Sequence, residues 1–78
     1  MNYIATFYTH AAALMTNRAL RGKNIESRLA PVPRVLSSSC GTCVMYTACD
    51  PNLSEMDPDV EAVYETTESG YRELLRNE

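Results

Sequence analysis

Seventy-eight residues with 45% apolar content suffice for one modest core, so the chain is expected to form a single small domain over 1–78. No run approaches the roughly 18 apolar residues of a membrane span. No basic segment followed by an apolar stretch opens the chain, so a cytoplasmic protein without a membrane partner is expected. Residues 1–48 carry five basic residues and one acid, residues 49–78 nine acids and two arginines. The basic part lacks the interleaved aromatics of nucleic-acid binders, which argues against that class of partner.

Residues 2–8, Asn-Tyr-Ile-Ala-Thr-Phe-Tyr, are β-branched and aromatic without a breaker and predict a strand. Thr9 suits a helix N-cap, and the Ala- and Leu-rich run from His10 to Arg21 predicts a helix. Ala11, Ala12, Met15 and Ala19 share one of its faces, where small residues let the helix lie close to a sheet. Gly22, Lys23 and Asn24 supply the stop. Ile25, Ser27 and Leu29 then alternate with Glu26, Arg28 and Ala30, as in a half-buried second strand halted by Pro31 and Pro33.

A third strand is expected from Cys43 to Cys49, and a short helical turn near 51–56. In the last third, Val60, Val63, Tyr64, Thr67, Tyr71, Leu74 and Leu75 fit a helical stripe, whereas Val60, Ala62, Tyr64 and Thr66 alternate as a strand. Thr66, Thr67 and Gly70 are poor helix-interior residues, which favours a strand over 60–66 and a short terminal helix beyond it. The order β-α-β-β-(short α)-β predicts an α+β, ferredoxin-like split βαβ sandwich with strands 1 and 2 parallel and strand 3 between them. That topology carries Thr9 and His10 towards the segment Ser37 to Cys43.

Chemistry concentrates in that segment, Ser37-Ser38-Ser39-Cys40-Gly41-Thr42-Cys43. A thiolate is the reactive form of cysteine, and a helix N-terminus or a nearby cation favours it. For Cys40 the candidate stabilisers are the first helix's N-terminus, His10 and Arg34. Gly41 would let a partner's sulfur or backbone approach closely, and Ser38 and Ser39 offer hydrogen bonds to a bound atom. Three cysteines in a cytosolic chain argue for free thiols rather than a disulfide framework.

Several readings compete. Cys40 and Cys43 form a Cys-x-x-Cys pair, which permits a dithiol–disulfide couple, although on a strand they would point to opposite faces. Cys40, Cys43 and Cys49 with His10 fall short of a metal-ligand pattern, so neither metal nor cofactor is expected. Cys49 reads as a buried apolar residue. A non-catalytic interaction module that docks or forms a homodimer through its sheet is the reading from another class.

The segments Tyr3-Ile4-Ala5-Thr6-Phe7, Arg28-Leu29-Ala30-Pro31-Val32-Pro33-Arg34 and Ser37-Ser38-Ser39-Cys40-Gly41, with Val63-Tyr64 as a final strand, resemble the selenium/sulfur carrier protein-like family, a small bacterial group. Pro-x-Pro-Arg followed closely by Ser-Cys-Gly is the most specific of these marks. The chain departs from the pattern in a shortened second helix between Cys49 and Asp59 and in the added Cys43. The resemblance implies that Cys40 is a carrier thiol, holding sulfur as a persulfide or selenium as a selenosulfide. It would take that atom from a cysteine desulfurase-type donor and pass it to an acceptor enzyme; the added Cys43 leaves open whether Cys40 works alone or releases its cargo with a resolving thiol. Such a protein is a carrier rather than a self-contained enzyme.

Overall fold

The computed structural model describes residues 1–78, which run as β1 (Asn2–Phe7), α1 (His10–Gly22), β2 (Glu26–Pro31), β3 (Thr42–Thr47), a 3-10 turn (Leu53–Glu55), β4 (Val60–Thr67) and β5 (Gly70–Arg76). The five strands form one antiparallel sheet in the order β2-β3-β1-β4-β5, with α1 packed on one face. The result is a small α+β fold. Strand count and order differ from the ferredoxin-like layout expected from the sequence, because residues 70–76 form β5 where a terminal helix was predicted. The helical turn expected near 51–56 is present as the 3-10 turn, and nothing longer forms there. No helix is long and apolar enough to cross a membrane.

Local chemistry explains most of these elements. Thr9 is extended, and its side chain accepts the Ala12 N–H at 3.1 Å, capping α1. At the other end the Lys23 and Asn24 amides close on the last carbonyls, and Ile25 N–H bonds Leu20 O at 3.0 Å, turning the chain into β2. Pro31 ends β2, an edge strand, where a missing N–H is tolerated. The β4–β5 hairpin turns through Glu68 and Ser69, with Gly70 at φ +134 and the Thr67 hydroxyl donating to Gly70 O at 3.0 Å.

Tyr3, Ala5, Phe7, Val44, Tyr46, Val60 and Val63 face α1 and join Ala12, Ala13 and Leu20 in the main core. Tyr3 and Tyr46 stack with ring centroids 5.2 Å apart. The helix face that lies down is therefore Ala12, Ala13, Thr16 and Leu20, one position round from the predicted set. Ala11 and Met15 are exposed. Two contacts fix this rotation: the Thr16 hydroxyl accepts the Asp57 N–H at 3.0 Å, and Arg21 donates twice to Ser27 O, at 3.2 and 2.9 Å. On the opposite sheet face Ile4, Ala30 and Cys43 form a smaller cluster, roofed by Val32 and Leu36.

Candidate functional site

Between β2 and β3 the chain leaves the sheet at Val32 and returns at Gly41. Val32 N–H bonds Gly41 O at 3.1 Å, so the segment closes at its neck as an Ω-type loop. Gly41 has φ +75 with open space around it, so a side chain there is opposed by backbone strain and not by crowding. Leu36 N–H bonds Pro33 O at 3.0 Å in a turn at the tip. Two further bonds hold the returning limb: the Ser38 hydroxyl donates to Phe7 O at 3.2 Å, and the Ser39 amide donates to Glu61 Oε1 at 3.1 Å.

Cys40 follows directly. Its side chain is half-buried against the main core, and its thiol donates to Thr42 O at 3.3 Å. His10, the first residue of α1, reaches the same loop, with Nδ1 3.3 Å from Thr42 Oγ1. The helix start and the cysteine loop therefore meet, but through Thr42, and Cys40 has no recorded bond to His10. Arg34 is exposed, with neither an ion pair to a carboxylate nor a side-chain hydrogen bond. The Ser38 hydroxyl and the Ser39 amide are spent on anchoring the loop; Ser37 and Gly41 are exposed.

A family model described as "Putative Se/S carrier protein-like" matches residues 2–56. The chain belongs to this family. The matched segment runs from β1 through the 3-10 turn and contains the whole cysteine loop, while β4 and β5 lie beyond it. No curated protein and no solved structure matches the chain.

The other two thiols of this Se/S carrier-like chain sit in different surroundings. Cys43 is the second residue of β3, opposite Thr6 and Ala30, and is fully buried in the smaller cluster with its sulfur 3.7 Å from Pro31 O. Burial pushes its thiol up to about 11, an effect that the Arg28 guanidinium only partly offsets. Cys40 packs on the helix side of the sheet and Cys43 on the other, so the pair does not form a ready dithiol. A resolving thiol must be ionised and reachable, and the burial of Cys43 works against both.

Cys49, expected to be buried, is exposed, because β3 ends at Thr47 and the chain turns outward through Ala48. No three His, Cys, Asp or Glu side chains converge in an arrangement that would hold a metal ion.

The cysteines give a direct check on this geometry. With a small alkylating reagent at neutral pH, Cys40 and Cys49 are expected to label in the native protein. Cys43 should label roughly a hundredfold more slowly or worse, through transient unfolding, as read by peptide mass mapping. Equal rates at Cys43 and Cys49 would show the placement of β3 to be wrong.

Two residues of the site carried no signal in the sequence. Thr42 bridges His10 and Cys40, and Glu61 reaches the Ser39 amide from a strand position 22 residues further along. A contact of that kind exists only once β4 has paired with β1.

Proposed function

We propose that the protein carries a sulfur or selenium atom on Cys40 between a cysteine desulfurase-type donor and an acceptor enzyme. The observation that supports this most is the setting of Cys40. It lies within the family-matched segment, on a loop anchored at its neck and to β1 and β4, with a half-exposed thiol held by one carbonyl. Cys43 is sealed in the fold, and Cys49 lies on an outward turn.

In the loading step the Cys40 thiolate attacks the terminal sulfur of a persulfide on the donor. A bond forms between Cys40 Sγ and the transferred atom, the donor's own S–S bond breaks, and the donor leaves as a thiolate. The electron count is unchanged, so neither oxidant nor cofactor is consumed. Delivery repeats the exchange, with the acceptor's nucleophile attacking the terminal atom and Cys40 leaving as the thiolate. A buried, protonated Cys43 does not take part, so release rests on the acceptor's own nucleophile rather than on an internal disulfide.

Incubation with a cysteine desulfurase and cysteine, followed by intact-mass measurement without reductant, tests the proposal. Wild type is expected to gain the mass of one sulfur atom, and Cys43→Ser and Cys49→Ser to do the same, whereas Cys40→Ser gains none. Uptake by Cys40→Ser, or none by wild type, would refute the assignment.

A further inference from the structure

Resting on the reading of Cys40 as the carrier thiol, we propose that Glu61 is a positioning residue that latches the Cys40 loop against the sheet and sets how readily the thiol is released to a partner. The argument begins with the register of β4. Thr6 pairs with Ala62 and Phe7 with Val60, so Glu61 is an extra residue with no partner on β1. A bulge of this kind turns a side chain away from the regular alternation and is common beside functional loops. Here the turned side chain is the carboxylate that accepts the Ser39 N–H at 3.1 Å. Of the two bonds that tie the returning limb to β1 and β4, this one is nearer in sequence to Cys40.

The bulge is itself braced. Asn77 donates its backbone N–H to Glu61 O at 2.9 Å and its side-chain amide to Val60 O at 2.9 Å and Pro58 O at 3.2 Å. The Tyr8 hydroxyl, at the end of β1, donates to the Asn77 carbonyl. The chain's last residues thus fix the backbone from which Glu61 reaches, and they do so from outside the segment that the family model matches.

A release step follows from packing. Cys40 is half-buried against the main core, and loading adds an atom to a side chain that already has neighbours. Lifting the loop gives that atom room and lets a second protein's nucleophile line up with it. Lifting the limb at Cys40 separates Ser39 N–H from Glu61 while the neck, Val32 to Gly41, stays closed.

The test uses the unloaded full chain. In Glu61→Ala the Ser39 amide is expected to exchange with solvent roughly fivefold faster than in wild type, and Cys40 to alkylate faster by a similar factor. Amides of Ala5 and Val63, deep in the sheet, should stay as protected as in wild type, because the Glu61 carbonyl still receives the Asn77 bond. Glu61→Gln keeps an acceptor at the same reach and is expected to restore both rates to within about twofold of wild type.

Equal Ser39 exchange and Cys40 alkylation in wild type and Glu61→Ala would overturn the latch, as would a Gln variant that behaves like Ala. Chalcogen uptake is read separately by mass. A wild type that takes up no sulfur while the Ala and Gln variants differ as described refutes the carrier reading and leaves the latch standing.

Discussion

A chain cut after Met56 is expected not to fold, although it contains the whole family-matched segment. β1 is an inner strand, bonded to β3 on one side and to β4 on the other, and the cut removes the second partner. It also removes Val60, Ala62, Val63 and Tyr64, all buried, of which Val60 and Val63 belong to the main core. Burial of a valine-sized side chain such as Val60 or Val63 stabilises by about 1.5–3 kcal/mol. Domains have only about 0.05–0.15 kcal/mol per residue of net stability in total, so losses of this kind leave nothing. The cut chain should show no cooperative thermal transition and little amide dispersion by NMR, against a sharp transition for residues 1–78. A cooperative transition in the cut chain would mean that β4 and β5 are accessories to a core complete without them.

That dependence shows where the sequence was readable. The first three strands and the helix carry local signals: an uninterrupted β-branched run, a Thr cap, a Gly-Lys-Asn stop, an alternation closed by proline. Their bounds agree with the structure to within two residues. The C-terminal strand was misread because its alternation is broken. Val63 pairs with Leu75 and Tyr64 with Glu73, which leaves Leu74 as an unpaired bulge residue. Leu74 and Leu75 are consequently both half-buried, and with Tyr71 they mimic the three-and-four spacing of a helix. A bulge is set by the partner strand, so no window of local sequence encodes it.

The candidate site divides along the same line. Cys40 stands out from its neighbours alone, and the meeting of the helix start with the cysteine loop follows from strand order. Glu61 does not, since it acts through a second bulge, opposite Thr6 and Phe7. Cys43 shows the converse case. As part of a Cys-x-x-Cys pair it reads as reactive, yet it is the first inward position of β3, and burial overrides the motif. The helix face was one position out for a related reason. Small residues occur on both candidate faces, and the choice rests on Leu20 and on the Thr16 hydroxyl's bond to the Asp57 amide, a contact from another part of the chain.

Burial of Cys43 also has a consequence for stability. Raising the pH from 9 to 11 is expected to destabilise the fold by about 2 kcal/mol through this thiol alone. Its pKa is raised from 9.0 to about 11 by burial, so in the unfolded chain it gives up its proton first. Between those values the folded state binds more protons than the unfolded state. The stabilisation is therefore fully present below about 9 and is lost as the pH climbs through about 11. Tyr3 and Tyr46, stacked in the main core and both pushed upward by burial, act in the same sense from the ordinary tyrosine range upward. For a domain of this size the thiol's share corresponds to a fall in Tm of roughly 8–16 °C across that window. Cys43→Ala should start less stable, because it leaves a small void among Ile4 and Ala30, but its Tm should fall less steeply between pH 9 and 10. Calorimetry on both proteins in steps of pH reads the two slopes. Parallel slopes would show that Cys43 does not titrate as a sealed thiol, and the case for Cys40 acting without a resolving partner would fall with it.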